Sequence, residues 1–169
     1  MIEATESELR EGLEAALSVP RWVDELVAQA PFESLDELLH RARAAATPLN
    51  PGEIDQAMAH HPRIGERSTG TDAAAAHSAR EQASLAEGPA ADDAELTAAI
   101  HAGNLAYEAR FDRVFLIRAA GRTRAEILHE LDRRLRLDDD TELEIVAEQL
   151  REIALLRLAD TFGSREDSL

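Results

Sequence analysis

The sequence contains no cysteine and few aromatic residues, and each shortage excludes a class of function or structure. Without cysteine there is no disulfide framework, no thiolate nucleophile and no cysteine-based zinc site. No apolar run approaches the length of about 18 residues that a membrane-spanning helix needs. Aromatic residues make up only 4% of the chain, but hydrophobic residues make up 44%, which suits a globular protein and not a disordered one.

Lysine is also absent, so all 18 basic residues are arginine, and 34 Asp and Glu residues set the formal net charge at −16. Binding to nucleic acid or to an anionic membrane surface requires basic patches, so we expect neither partner. An anionic small-molecule substrate would need a local positive pocket. The start, Met1–Glu6, is acidic and lacks the basic and apolar regions of a signal peptide, which predicts a cytoplasmic protein.

The length of 169 residues and the abundance of Ala, Leu, Glu and Arg predict one all-α domain, a compact bundle of about seven to nine helices. The polar tail after Gly163 is expected to fray. Residues 111–120 read as an extended connector, closed by Gly121. The predicted helices are Glu6–Leu17, Pro20–Gln29, Leu35–Ala45, Pro51–Ala59, Ala73–Ala86, Asp93–Arg110, Arg124–Leu135 and Thr141–Asp160.

Capping signals precede five of these helices, and Asp72 is the simple cap of the helix over 73–86. Pairs three residues apart predict capping boxes, in which a hydroxyl and a carboxylate bind the free amides of the first turn. The pairs are Thr5 with Glu8, Ser34 with Glu37 and Thr123 with Glu126, and Asn50 is a simple cap.

The last predicted helix carries an arginine on its apolar face. The stripe repeats at helical spacing through Leu150, Ile153 and Ala154 and then reaches Arg157. A buried guanidinium needs a partner, because an unpaired buried charge is very costly. From the pattern alone, Arg157 either extends to water or an internal carboxylate, or binds a planar anion such as a carboxylate.

Two further segments are not explained by the apolar periodicity of a surface helix. His61 precedes Pro62, which disfavours helical geometry at the histidine, so its imidazole is either a solvated loop group or a general acid or base. Ser78, Glu81 and Gln82 share one face of the fifth predicted helix, which lies at the surface or lines a polar pocket.

A metal site is not favoured. His77 and Glu81 have a spacing that could share a metal ion, but the chain has no HExxH-type histidine pair. A GxSxG nucleophile, a P-loop and a GxGxxG segment are absent as well. We therefore predict no metal.

Several motifs, taken together, resemble the 2-oxo-4-hydroxy-4-carboxy-5-ureidoimidazoline (OHCU) decarboxylases. The loop HHPRIGE at 60–66 resembles the family's HPRIGE signature, and SAREQ at 78–82 resembles its S..EQ segment. Two departures are His60, where a small residue is usual, and Asp112, where the family usually has Gly. The other matching positions are Trp22, Pro31, Phe32, Asn104, Tyr107, Phe111, Phe115, Arg133, Arg134, Leu135, Glu142 and 153–158.

The resemblance implies an all-helical enzyme that needs no cofactor, commonly forms homodimers, and decarboxylates OHCU to (S)-allantoin in urate breakdown. It implies His61 as the catalytic proton donor, with Glu81 and Arg157 binding and orienting the substrate. The remaining substrate-binding positions it implies are Pro62, Ser78, Gln82, Phe115, Leu116, Ile117, Arg118 and Ala119.

The chemistry of these residue types fits such a reaction. Arg157 can grip a carboxylate with two nitrogens, and the connector can offer backbone amides to the substrate ring. Two other readings stay open: a non-catalytic acidic helical module that binds a partner protein, and a helical metal-dependent hydrolase.

Overall fold

The computed structural model describes residue 2, residues 4–59, residues 61, 63, 64 and 77, and residues 90–166. Within these ranges the chain forms helices and no strand, which confirms the all-α class. The helices are α1 (Glu6–Ala16), α2 (Pro20–Val27), α3 (Leu35–Ala45), α4 (Pro51–Met58), α5 (Ala90–Phe111), α6 (Arg124–Arg134) and α7 (Asp139–Glu166). None of the helices in the described ranges is long and apolar enough to cross a membrane.

Local capping sets where several helices begin. The predicted capping boxes at Thr5 and Thr123 are present in both directions, and Asn50 also forms a complete box with Glu53. The box predicted at Ser34 is wrong in one half. Its hydroxyl accepts from the Glu37 amide, but the Glu37 carboxylate accepts from the amide of Glu33 at 2.8 Å.

The last helix continues past its predicted end at Asp160 and past Gly163, up to Glu166. The predicted end at Asp160 is therefore wrong, whereas the fraying of the tail after Gly163 stays a prediction. The physical reason is burial: Phe162 is only 1% exposed, and its ring lies so close to Gly12 that an added Cβ there would meet it at 2.6 Å. The predicted helix over 73–86 lies outside the described residues, apart from the helical His77.

The chain divides into two compact units. Unit 1 comprises residues 1–59 and 150–169, and unit 2 comprises residues 60–149, so α7 contributes to both. In unit 1, Trp22 is fully buried and its indole N–H donates to the carbonyl of Ala42 at 2.9 Å. The other buried apolar residues of this unit include Leu9, Leu13, Leu17, Leu26, Phe32, Leu38, Ile54, Ile153, Leu158 and Phe162.

Unit 2 has its own aromatic-centred core. Close packing between α5 and α6 depends on Gly103, because an added Cβ would come within 2.4 Å of Leu131 Cδ2. The core cluster consists of Ile64, Ile100, Tyr107, Phe111, Phe115, Ile117, Ala119, Ile127 and Leu131. Phe111, the first residue of the predicted connector, is instead the last residue of α5, because its ring is buried in this core. Residues 112–120 contain no helix, as expected, and Gly121 adopts a positive φ of 77° in the turn that closes the connector.

Candidate functional site

The predicted site residues fall into both units. His61 and the connector residues 115–119 belong to unit 2, and Arg157 belongs to unit 1. Pro62, Ser78, Glu81 and Gln82 lie outside the described residues. The predicted site residues that the structure describes are therefore His61 and the connector residues 115–119 in unit 2, and Arg157 in unit 1.

The histidine loop is attached to α5 at two points. Arg63 binds Glu108 with two nitrogens: Nε contacts Oε1, and Nη2 donates to Oε2 at 2.6 Å. One residue further along the loop, the carbonyl of Ile64 accepts a hydrogen bond of 3.0 Å from the side-chain amide of Asn104. His61 itself is half-buried. These contacts fix the segment immediately after the predicted catalytic residue.

Electrostatics reinforce the first of these contacts. The hydrogen bond from Arg63 holds the pKa of Glu108 below its ordinary value of 4.5, and burial only partly opposes this effect. Glu108 is therefore ionised at neutral pH, and the contact is a charge-assisted pair.

The connector begins with a residue in an unusual conformation. Asp112 has a positive φ of 53°, in the left-handed region that glycine adopts without strain. This is the position where the resembling family usually has Gly, so the departure in sequence preserves the backbone turn. From there the chain leaves α5 and enters the buried segment that holds Phe115, Leu116 and Ile117.

A fully buried ion pair lies beside the connector. The side chains of Arg134 and Glu142 are both 0% exposed, and Arg134 Nε donates to the two carboxylate oxygens at 2.9 and 3.1 Å. The hydroxyl of Tyr107 donates to the same carboxylate. Burial, followed by the hydrogen bond to Glu142, raises the pKa of Tyr107, so the phenol stays protonated and acts as a donor.

The ion pair also binds the connector directly. Arg134 Nη1 donates to the carbonyl of Leu116 at 2.7 Å, and its guanidinium carbon lies 4.7 Å from the centre of the Phe115 ring. Phe115 packs edge-on against Tyr107 with ring centres 5.2 Å apart. The connector is thus fixed by a polar contact to its backbone and an aromatic contact to its side chain.

The connector amides differ in their availability. The amide of Arg118 donates to Gln149 Oε1 at 2.9 Å, so this group is already used within the protein. The amides of Leu116, Ile117 and Ala119 donate to no acceptor among the described residues. Backbone amides that lie in a buried segment and donate to no described acceptor can donate hydrogen bonds to the polar edge of a ligand ring.

Arg157 is buried as its position on the apolar stripe predicts. It is 4% exposed, and Nη1 donates to the carbonyl of Ala15 at 3.4 Å. The alternative in which this side chain extends to water does not hold. A cationic group kept in the interior can bind a planar anion through the nitrogens of its fork.

Two other features of the described residues bear on the site. No group of three or more metal-ligating side chains occurs among them. A cleft of about 240 Å³ opens in unit 1, but none of its lining residues is a predicted site residue. These lining residues are Ile2, Ala4, Glu6, Leu9, Val27, Ala30, Pro31 and Phe32.

Sequence reasoning did not assign a role to three residues that hold the site segments. Arg134 lies at helical spacing after the buried Ile127 and Leu131, so the stripe argument used for Arg157 would have found it. Glu108 and Asn104 carry no such signal, because their partners lie 45 and 40 residues away.

Comparison with known proteins supplies the family. The OHCU decarboxylase family profile matches residues 3–159. An OHCU decarboxylase of Haloferax volcanii is 30% identical over 145 residues, which are 85% of this chain and 82% of that protein. The mouse OHCU decarboxylase is 28% identical over 83% of this chain and 78% of its own length. A bifunctional uric acid degradation protein of Arabidopsis thaliana is 40% identical over 62 residues, which are 37% of this chain but only 19% of that protein.

Solved structures share the fold. A crystal structure of an OHCU decarboxylase in the presence of (S)-allantoin superposes with a TM-score of 0.72 at 24% identity, over 90% of this chain and 98% of that one. An (S)-allantoin synthase has a TM-score of 0.67 at 19% identity, over 95% of this chain and 52% of that one. The chain therefore belongs to the OHCU decarboxylase family, which confirms the family and the enzyme class, a carboxy-lyase of urate degradation, that its sequence predicts.

Proposed function

We propose that this chain converts OHCU to (S)-allantoin with His61 as proton donor, with Glu81 and Arg157 binding and orienting the substrate, and with the connector as a further binding segment. The observation that carries the assignment of groups is the construction of the connector. It is a buried segment outside any helix, held by Arg134 and Gln149, in which three amides have no acceptor among the described residues.

The reaction requires few protein groups. The bond between the ring carbon and the carboxylate breaks, CO2 leaves, and the electron pair stays on the ring carbon, where conjugation with the ring spreads it. A proton delivered to one face of that carbon completes the product. The protein must therefore hold the carboxylate, stabilise the developing ring charge and supply the proton.

Arg157 suits the first task and the connector suits the second. A buried guanidinium binds a carboxylate through two parallel hydrogen bonds and distinguishes it from a point anion. The amides of Leu116, Ile117 and Ala119 are fixed before substrate arrives, and fixed donors stabilise charge without reorganising during the reaction. The side chain of Phe115 is packed in the core, so this residue would contribute through its backbone.

His61 suits the third task, because an imidazole titrates near neutral pH and can give or relay a proton. Glu81 would either hold His61 in one tautomer or polarise the substrate hydroxyl. Pro62, Ser78 and Gln82 would complete the lining of the substrate. These four residues lie outside the described ones, and their roles rest on the motif match alone. The proposal involves no cofactor or metal.

The first experiment is a coupled assay with a matched histidine control. OHCU is generated fresh from urate with urate oxidase and hydroxyisourate hydrolase, and the handedness of allantoin is followed by circular dichroism. Wild type should give rapid, one-handed product. His61→Ala should be slower by about 10²–10⁴-fold, whereas replacement of the exposed His129 by Ala should have no effect.

A second pair of variants tests the anion fork. Arg157→Lys keeps a positive charge but loses the planar fork, so most activity should be lost. Arg151 lies on the same helix and also donates to a backbone carbonyl, at 3.1 Å, so Arg151→Lys is the control. Full activity of Arg157→Lys removes Arg157 from the site. No acceleration by folded wild type overturns the proposal and favours a protein-binding module.

We propose further that the enzyme acts in the cytoplasm as a homodimer that binds no nucleic acid. The support is the family resemblance and the net charge of −16, which repels nucleic acid. Light scattering coupled to size exclusion measures the oligomeric state, and a monomeric mass at assay concentration contradicts the dimer.

A further inference from the structure

The two contacts between the histidine loop and α5 come from one face of that helix. Asn104 and Glu108 are four residues apart, so their side chains lie one above the other on the helix. Asn104 binds the carbonyl of Ile64, and Glu108 binds the guanidinium of Arg63. The helix therefore grips two consecutive residues of the loop, one by its backbone and one by its side chain.

We infer that Asn104 and Glu108 form a clamp that positions His61 for proton transfer, with Arg63 as the loop's half of the attachment. The inference rests on the proposed role of His61 in catalysis. The three residues are positioning residues: they act through the loop, and no contact with the substrate is assigned to them.

The form of the ion pair supports a positioning role. Two guanidinium nitrogens meet two carboxylate oxygens, so the contact fixes the orientation of Arg63 as well as its distance. Arg63 is only two residues from His61, so little backbone freedom separates the clamp from the imidazole. Displacement of a catalytic group by about 1 Å can slow a reaction by about 10²-fold.

Stability alone does not account for these contacts. The side chains of Arg63 and Glu108 are 36% and 22% exposed, and ion pairs so accessible to water add little to folding. Asn104 is 2% exposed, and its Oδ1 accepts no hydrogen bond in the described part of the chain. A buried amide oxygen without a partner costs stability, so the core retains Asn104 at a cost while its amide holds Ile64.

A closely matched ion pair in the same unit provides the control. Arg133 donates to the Glu130 carboxylate from Nε at 2.9 Å and from Nη2 at 2.6 Å, and the side chains of Glu130 and Arg133 are 23% and 47% exposed. This pair lies within α6, three residues apart in the chain. Glu108→Gln and Glu130→Gln therefore remove the same charge from the same kind of pair, and only one of them touches the clamp.

The experiment compares kcat, KM and the imidazole NMR signal of His61 in the two variants. Glu108→Gln should lower kcat by about 10–100-fold with little change in KM, because positioning acts on the chemical step. It should also shift or broaden the His61 Cε1–H signal, which His61→Ala identifies by its disappearance. Glu130→Gln should match wild type in kcat and in that signal.

The double variant Arg63→Gln/Glu108→Gln tests whether the two residues act as one. The fold-decrease in kcat of the double variant should equal the larger of the decreases in the two single variants, Arg63→Gln and Glu108→Gln. A decrease equal to the product of the two single decreases would contradict a shared function. If Glu108→Gln fails to fold, Arg63→Lys takes its place, since it keeps the charge and loses the fork.

The results also separate this inference from the proposed function. Inactive His61→Ala together with fully active Glu108→Gln overturns the clamp and leaves the catalytic role of His61 intact. Fully active His61→Ala overturns that role, and the clamp as a catalytic device falls with it. Equal losses of kcat in Glu108→Gln and Glu130→Gln also overturn the clamp, because the effect would then be one of general stability.

Discussion

The histidine loop and the connector both carry predicted site residues in unit 2, and an arginine–glutamate pair holds each of them. The connector is held by Arg134 and Glu142, whose side chains are completely buried. The histidine loop is held by Arg63 and Glu108, which are 36% and 22% exposed. The chemistry of the two pairs is the same, and their surroundings are opposite.

The difference in burial assigns the pairs different tasks. The contacts around Glu142 share the same groups. Arg134 and Tyr107 both bind the Glu142 carboxylate, and Arg134 also binds the carbonyl of Leu116 in the connector. Removing either Arg134 or Glu142 leaves the other charge unpaired in the core, so the stability of the fold depends on this pair. Water can replace either partner of the Arg63 pair, so this contact can be lost while the fold survives.

Glu142→Gln is the variant with the largest expected effect, and it tests whether the buried pair contributes more to stability than the exposed pair. The variant leaves the guanidinium of Arg134 buried without its counterion, and breaking a buried pair in this way typically costs about 3–5 kcal/mol. We expect the free energy of unfolding, measured by urea denaturation, to fall by that amount. Glu130→Gln makes the same change at the partly exposed pair within α6 and should cost about 0–1 kcal/mol. Equal losses in the two variants would contradict the assigned difference.

A smaller change to the same network is Tyr107→Phe. It removes the hydroxyl that donates to Glu142 and keeps the ring that packs against Phe111 and Phe115. Hydrogen bonds to charged groups are worth about 1.5–3 kcal/mol, so the urea midpoint should drop without a change in the slope of the transition. An unchanged midpoint would mean that Arg134 alone satisfies the carboxylate.

The comparison also explains which features the sequence could predict. The boxes at Thr5 and Thr123 and the cap at Asn50 need partners only three residues away, so local pattern was enough to place those helix starts. The burial of Arg157 followed from helical periodicity for the same reason. The Ser34 box failed because the Glu37 carboxylate had a competing local donor, the Glu33 amide.

Contacts between distant residues were beyond that reasoning. Arg63 and Glu108 are 45 residues apart, and nothing in one sequence pairs them among 18 arginines and 34 acidic residues. The extension of α7 to Glu166 was missed because Phe162 is buried against Gly12, which lies 150 positions earlier in the chain. Charge, cysteine count and periodicity predict the class of fold, and the pairing of charges needs the structure.

A third substitution, Asp112→Gly, tests the backbone strain at the residue where the connector leaves α5. Asp112 has φ at 53°, where a residue with a Cβ pays about 1–2 kcal/mol that glycine does not. Glycine also gains freedom in the unfolded chain, so Asp112→Gly should raise the free energy of unfolding by only about 0.5–1 kcal/mol. Thermal denaturation measures the shift. A lower melting temperature would mean that the Asp112 side chain makes a contact worth more than the strain.

The smallest expected effect concerns acid. The pKa of Glu108 lies below its ordinary value of 4.5, because Arg63 binds the ionised form. A depressed carboxyl pKa gives stability that is complete above the ordinary value and is lost as pH falls through the folded-state value.

Glu108→Gln lacks this contribution at every pH. The gap in unfolding free energy between wild type and this variant should therefore be at most about 1 kcal/mol at neutral pH and should shrink as the pH falls below the ordinary value of 4.5. Urea denaturation across this range measures the gap, and Glu130→Gln should behave alike because Arg133 lowers the pKa of Glu130 in the same way. A gap that stays constant into acid would mean that the Arg63 contact does not depend on the Glu108 charge, and the two arginine–glutamate pairs would then differ in chemistry as well as in burial.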